Sequence, residues 1–116
     1  MRNFQDYKVW HLGMQIVVEV YQVTKVLPDT EKYGLQSQMR RSAVSIPSNI
    51  AEGCSRQSDK AFAHFLEIAI GSSFELQTQC IVTSKIGYLK EDEVAGLLKQ
   101  LDTFQRKTNA LLTKIR

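Results

Sequence analysis

The chain has 116 residues, of which 43% are hydrophobic and 23% charged, and its formal net charge is +3. This length is enough for one modest core and too short for two, so we expect a single domain over residues 1–116. The apolar runs are too short to span a bilayer and the polar N-terminus does not look like a signal peptide, which speaks against a membrane protein and predicts a cytoplasmic location.

The first predicted helix runs from about Lys8 to Val26 and is stopped by Pro28. A β-branched run inside it resembles a strand, but the length of the segment and the four-residue spacing of Trp10 and Met14 favour a helix. Its apolar residues cover a wider arc than the ~100° that one bundle helix needs, with Trp10, Val17 and Tyr21 displaced from the main stripe. This surplus predicts a surface that contacts a partner.

The second predicted helix runs from about Gly34 to Cys54 and contains Pro47 in its middle. A mid-helix proline removes one backbone hydrogen bond and clashes with the preceding turn, which costs about 3 kcal/mol. The apolar spacing nevertheless continues through it. We therefore predict a helix kinked at Pro47, with Ser45, Ser48 and Asn49 able to bond the carbonyl groups that the proline frees.

The remaining residues predict two more helices. The third begins at a cap on Ser58 and runs to Ile86, where Gly87 ends it. The fourth begins at the acidic residues 91–93, which suit a helix N-terminus, and its apolar stripe extends to Ile115. Because the connections are short, consecutive helices are expected to be antiparallel. The predicted fold class is all-α: an antiparallel up-down-up-down four-helix bundle with a Pro-kinked second helix.

Two residues of the third helix add to the surplus apolar surface of the first. Ile68 and Phe74 lie away from the main apolar stripe of their helix. A small bundle that buries wide helix faces would explain such a pattern without a partner. We favour self-association, so a second copy of the chain is the first expected partner.

The basic residues are unevenly distributed. The segment from Lys99 onward has five bases against one acid, a net charge of +4, whereas the preceding residues have ten bases against eleven acids, a net charge of −1. Such a helix is either an ordinary solvated face or an electropositive strip for phosphate. The candidate nucleic-acid-binding residues are Arg40, Arg41, Arg56, Lys99, Arg106, Lys107, Lys114 and Arg116. For the arginines near the second helix, ion pairs with Glu52 or Asp59 are the alternative.

No set of residues indicates catalysis. The chain has no glycine-rich phosphate loop and no serine with a recognisable base. His64 and Glu67 have a spacing found in some metal sites, but such a pair is usually a surface hydrogen bond. Cys54 and Cys80 are lone thiols that we expect to pack in the core. The prediction is a protein without enzymatic activity, metal or cofactor.

The run from Arg40 to Gly53, together with Val9-Trp10, Ser58-Asp59-Lys60 and Gly87-Tyr88-Leu89, resembles one known family. It is the four-helix-bundle family encoded in intervening sequences of bacterial 23S ribosomal RNA genes, which is related to the accessory protein of diversity-generating retroelements. The resemblance implies a homopentameric barrel, and the retroelement relative implies a nucleic-acid partner, RNA or DNA.

Two functions of different class follow. The first is an oligomer that binds structured RNA by charge and shape. The second is a structural or protein-interaction oligomer with no nucleic-acid role, whose basic residues are solvated or paired with acids. Salt-dependent binding to RNA would separate the two.

Overall fold

The computed structural model describes residues 1–116, and four long helices dominate it. They are α1 (Lys8–Val23), α2 (Leu35–Cys54), α3 (Asp59–Lys85) and α4 (Glu91–Ile115). Each helix packs on its neighbour in sequence and α4 closes the square against α1, while the diagonal pairs α1/α3 and α2/α4 have no Cα atoms within 8 Å of each other. The predicted all-α, antiparallel up-down-up-down four-helix bundle is therefore confirmed.

The first helix is one turn shorter than predicted. It ends at Val23, and residues Thr24–Val26 form a 3-10 turn. The buried Thr24 hydroxyl donates to the carbonyl of Val20 at 2.6 Å, and the Leu27 amide donates to the carbonyl of Thr24 at 3.2 Å. These bonds tighten the last turn, as is common where a helix leads into a proline.

The ends of α3 follow the predicted signals. The Ser58 side chain accepts a hydrogen bond from the amide of Ala61 at 3.1 Å, which caps the helix. At the other end Gly87 has a φ of +85°, a conformation that residues with a Cβ rarely adopt. The Glu93 carboxylate in turn accepts from the amide of Lys90 at 2.8 Å and fixes the start of α4.

The core is a cluster of 21 buried hydrophobic residues contributed by all four helices, with Phe62 and Phe104 the largest. Two helix contacts are close at a glycine. A Cβ on Gly53 of α2 would lie 2.8 Å from the Cβ of Phe65 on α3, and a Cβ on Gly13 of α1 would lie 3.1 Å from Ile46 Cγ2 on α2. The backbone of α2 therefore approaches α3 closely near its end and α1 closely near its middle.

Pro47 is buried within α2, which is continuous from Leu35 to Cys54. Its ring lies beside Gly13, since a Cβ there would be 3.4 Å from the proline ring. None of the three polar side chains bonds the carbonyl of Ala43, which loses its helical partner to the proline. The side-chain Nδ2 of Asn49 donates to the Ser45 carbonyl at 2.8 Å, the Ser45 hydroxyl bonds that of Ser72 at 2.8 Å, and Ser48 is exposed. The expected rescue is thus not observed, and the kink itself stays a prediction.

The two thiols are free and buried, as expected for packing residues. Burial raises the pKa of Cys80 to about 12, and it also raises that of Cys54, where the nearby Arg2 opposes the shift. The neutral thiol is therefore the form that the folded protein stabilises at Cys80.

We expect this shift to make folding sensitive to alkaline pH. The unfolded thiol ionises near pH 9 while the folded Cys80, with its pKa of about 12, stays neutral well above that, so stability is full below pH 9 and falls by about 1.4 kcal/mol per pH unit between the two values. Urea unfolding of the wild type and of Cys80→Ala at about pH 8 and about pH 10.5, on either side of the unfolded pKa, measures this. The wild type should lose more stability than the variant, and equal losses would contradict the assignment.

Candidate nucleic-acid interface

The outer face of α4 carries three lysines that we call the α4 lysine row. Lys99, Lys107 and Lys114 are exposed, and their spacings of eight and seven residues place them on one side of the helix, about 12 and 10 Å apart along its axis. No carboxylate lies within 4.0 Å of their amines. The row therefore presents three unpaired positive charges to solvent.

Three of the predicted arginines have an acidic partner. The pairs are Arg106 with Asp102 at 3.0 Å, Arg116 with Glu67 at 2.7 Å, and Arg56 with Glu52 at 3.4 Å. Every side chain in these pairs is about half exposed or more, so each pair stabilises the fold weakly and can exchange for a phosphate. For Arg56 the ion pair with Glu52, one of the two predicted alternatives, is the one observed.

The adjacent arginines of α2 have different environments. Arg40 is half-buried, donates from Nε to Thr24 Oγ1 at 3.0 Å, and lies with its guanidinium 4.4 Å from the ring centre of Tyr21. It therefore ties α2 to the end of α1. Arg41 is exposed and has no carboxylate within 4.0 Å. Of the two, Arg41 is the one free to bind a ligand.

The structure separates Arg41 from the end of α4 along a molecule that is 43 Å long. Arg41 lies near the start of α2, whereas Lys107 and Lys114 lie toward the end of α4, a helix diagonal to α2. In an up-down-up-down bundle these positions are at opposite ends. Arg41 and the Lys107/Lys114 end of α4 would therefore contact the same ligand only if it extended along the bundle.

Sequence reasoning missed a lysine that joins the row. Lys8 at the start of α1 lines a groove of about 270 Å³ together with Lys107 and Lys114, and Asp6 is the one acid in it. The three lysines converge because the last turns of α4 pack beside the first turn of α1. No local pattern could reveal this pairing, since the two segments lie at opposite ends of the sequence.

A second groove was also missed, at the junction of α1 and α2. It has a volume of about 490 Å³ and is lined by three basic residues and two tyrosines, which are Lys32, Arg40, Arg41, Tyr21 and Tyr33. We call it the tyrosine groove. Tyr33 is 87% exposed, and the lining of the groove includes no carboxylate. The available signal was the Lys32-Tyr33 pair in the loop before the Arg40-Arg41 pair.

The surplus apolar surface that the sequence predicts is partly used within the chain. Trp10 stacks on Phe4 with ring centres 4.9 Å apart, so an N-terminal 3-10 turn (Phe4–Asp6) covers it. Other apolar side chains stay exposed. Met14 and Val18 share one face of α1 beside Tyr21 of the tyrosine groove, and Phe74 and Ile81 share one face of α3, whereas Ile68 lies about 120° around α3 from Phe74. Two apolar surfaces thus lie on helices that are diagonal to each other.

The remaining chemistry is sparse. No three side chains of the metal-binding residue types come together in a way that could hold a metal ion. Glu67, the suggested partner of His64, instead pairs with Arg116. None of the helices combines the length and the hydropathy that crossing a membrane requires.

Comparison with known proteins adds three findings. A family model described as 23S rRNA-intervening sequence protein matches residues 5–110. A crystal structure of a protein with unknown function from the S23 ribosomal protein family of Bacteroides thetaiotaomicron is similar in fold, with a TM-score of 0.83, 19% sequence identity, and coverage of 90% of this chain and 97% of that one. No curated protein matches the sequence.

Proposed function

The chain belongs to the 23S rRNA-intervening sequence protein family, and from this membership we propose that it is a non-enzymatic homo-oligomer that binds structured RNA through the basic face of α4. The observation that carries the proposal is the α4 lysine row, Lys99, Lys107 and Lys114, with no acidic partner for any of them. Lys8 extends this surface at the end of the bundle.

The charge pattern suits a phosphate backbone better than a base sequence. Lysines bind phosphate as point charges without strict geometry, and each contact releases condensed counterions. Double-stranded RNA is recognised mostly by its shape and its backbone, because its deep major groove cannot be read by side chains. A row of lysines along one helix therefore favours a folded RNA with little sequence preference.

The positions of the apolar surfaces support self-association. Because the exposed apolar residues of α1 and α3 lie on diagonal helices, one copy can use its α1 surface against the α3 surface of the next. Such head-to-tail contacts give a closed ring when the rotation closes. Five copies, the number that the family resemblance implies, would present five lysine rows, and their combined effective concentration would strengthen weak single contacts.

The second candidate is a structural or protein-interaction oligomer without a nucleic-acid role. It is favoured by the ion pairs of Arg56, Arg106 and Arg116, which neutralise three of the eight predicted bases within the chain. In this case the α4 lysine row would keep the assembly soluble and would bind no RNA.

Neutralising the α4 lysine row should weaken RNA binding. In the variant Lys99→Gln, Lys107→Gln and Lys114→Gln, we expect the slope of log affinity against log salt to fall by about one for each phosphate that the protein no longer neutralises. Fluorescence polarisation with a labelled RNA hairpin between about 50 and 300 mM salt, on protein freed of co-purified nucleic acid, measures the slope.

A matched variant controls for net charge. Lys25→Gln, Lys60→Gln and Lys85→Gln removes the same three charges from exposed positions outside α4, so it should keep most of the slope. Equal slopes for the wild type and the α4 variant, or equal reductions in both variants, would show that α4 is not the binding face.

A further inference from the structure

We propose that the tyrosine groove binds one unpaired nucleotide of an RNA strand, with the base stacked on Tyr33 and the phosphate held by Arg41 and Lys32. This inference rests on the proposed function and deepens it, because it names a second ligand feature that the α4 lysine row does not recognise. The groove lies at the end of the bundle where α1 connects to α2, and the C-terminal end of α4 lies at the opposite end of the bundle.

The ring of Tyr33 is the first argument. It is 87% exposed on the loop between α1 and α2, although a tyrosine is one of the side chains that gain most from burial. Within the chain, the Tyr33 ring makes a cation–π contact with the Lys32 ammonium, which lies 5.5 Å from the ring centre. A flexible lysine can move aside, so the ring offers an open face on which any base can stack.

The charges around the ring are the second argument. Arg41 and Lys32 have no acidic partner, and no carboxylate lines the groove. Arg40 is held in the wall by Thr24 and Tyr21, so its charge is fixed there before any ligand binds. Glu31, in the same loop, directs its carboxylate to the amide of Leu35 at 3.0 Å and caps α2.

The combination selects an unpaired nucleotide. A base inside a duplex has both faces covered by its neighbours, so the Tyr33 ring can reach a base in a loop, a bulge or a free end. Base and phosphate of one nucleotide are adjacent, as are the ring and the cations here. The groove volume of about 490 Å³ falls within the range of about 300–1,000 Å³ that small-ligand sites occupy.

Tyr33→Ala should therefore weaken binding to single strands selectively. With a fluorescein-labelled ten-nucleotide uridine RNA, we expect about a tenfold loss of affinity, within the range for removal of one base–aromatic stack. Binding to a labelled RNA duplex of about sixteen base pairs should not change. Tyr33→Phe, which keeps the ring, should retain the affinity, and Arg41→Gln should lower the salt slope on the single strand by about 0.7.

The outcomes separate this inference from the proposed function. If the α4 variant loses duplex binding while Tyr33→Ala binds the single strand like the wild type, the groove assignment is overturned and the proposed function stands. If the wild type binds neither RNA at low salt, both are overturned. The last experiment tests whether uridine monophosphate displaces the labelled oligonucleotide from the protein. Displacement by uridine monophosphate at the same concentration as the oligonucleotide would assign the groove to a free nucleotide and overturn its assignment to an RNA strand.

Discussion

Gly53→Ala should lower the free energy of unfolding by about 1–3 kcal/mol, the usual cost of inserting a methyl group into a close-packed contact. The added Cβ would lie 2.8 Å from the Cβ of Phe65 and 3.3 Å from the carbonyl oxygen of Phe62. Both obstacles belong to the start of α3 and one of them is backbone, so neither can move without separating α2 from α3. Urea unfolding at fixed protein concentration measures the change.

Gly96 provides the matched control. It lies in the interior of α4 and is exposed, and no heavy atom would come within 4 Å of an added Cβ. Gly96→Ala should therefore raise stability by about 0.5–1 kcal/mol, because alanine is the better helix former. The two glycine substitutions should therefore change the free energy of unfolding in opposite directions. A neutral or stabilising Gly53→Ala would mean that α2 and α3 do not approach each other closely at Gly53.

Val18→Glu should dissociate the homo-oligomer. Val18 is 59% exposed on α1, one turn after Met14 on the same helix face. If this face is covered in the assembly, a buried unpaired carboxylate there costs several kcal/mol for each interface. Light scattering coupled to size exclusion at micromolar concentration should give a pentamer for the wild type and a monomer of 13.2 kDa for the variant.

Val26→Glu is the control for this experiment. It makes the same change at a residue that is 61% exposed but lies in the 3-10 turn after α1, outside the apolar face. The control should keep the mass of the wild type. A monomeric wild type would reject self-association altogether, whereas a dimer or tetramer would reject the ring of five.

Local patterns were sufficient to predict the four helices. The predicted and observed starts of α3 and α4 agree because the Ser58 and Glu93 side chains accept hydrogen bonds from nearby backbone amides. The end of α3 agrees because Gly87 adopts a positive φ. The close approach of Gly13 to Ile46 could not be predicted. This contact depends on which helices pack together and on their relative positions along the bundle axis. The sequence of a single helix does not determine either.

The candidate site was harder to predict for the same reason. A run of bases reveals charge but not the partner of each base. Arg40 is engaged by Thr24, a residue of another helix end, and Arg116 by Glu67 on α3. The α4 lysine row was recoverable because all three lysines belong to one helix with regular spacing. Lys8 was missed because it joins the row through the tertiary fold, whereas Tyr33 did carry a local signal in the Lys32-Tyr33 pair just before Arg40-Arg41.

The central claim is that α4 contacts structured RNA, and ultraviolet crosslinking in the native cell followed by mass spectrometry of the crosslinked peptides tests it most directly. We expect RNA-linked peptides from the segment containing Lys99, Lys107 and Lys114, with folded RNA regions on the other side of the crosslink. Crosslinks confined to other surfaces, or no RNA crosslinked to a chain that assembles normally, would contradict this claim and leave the structural oligomer as the function.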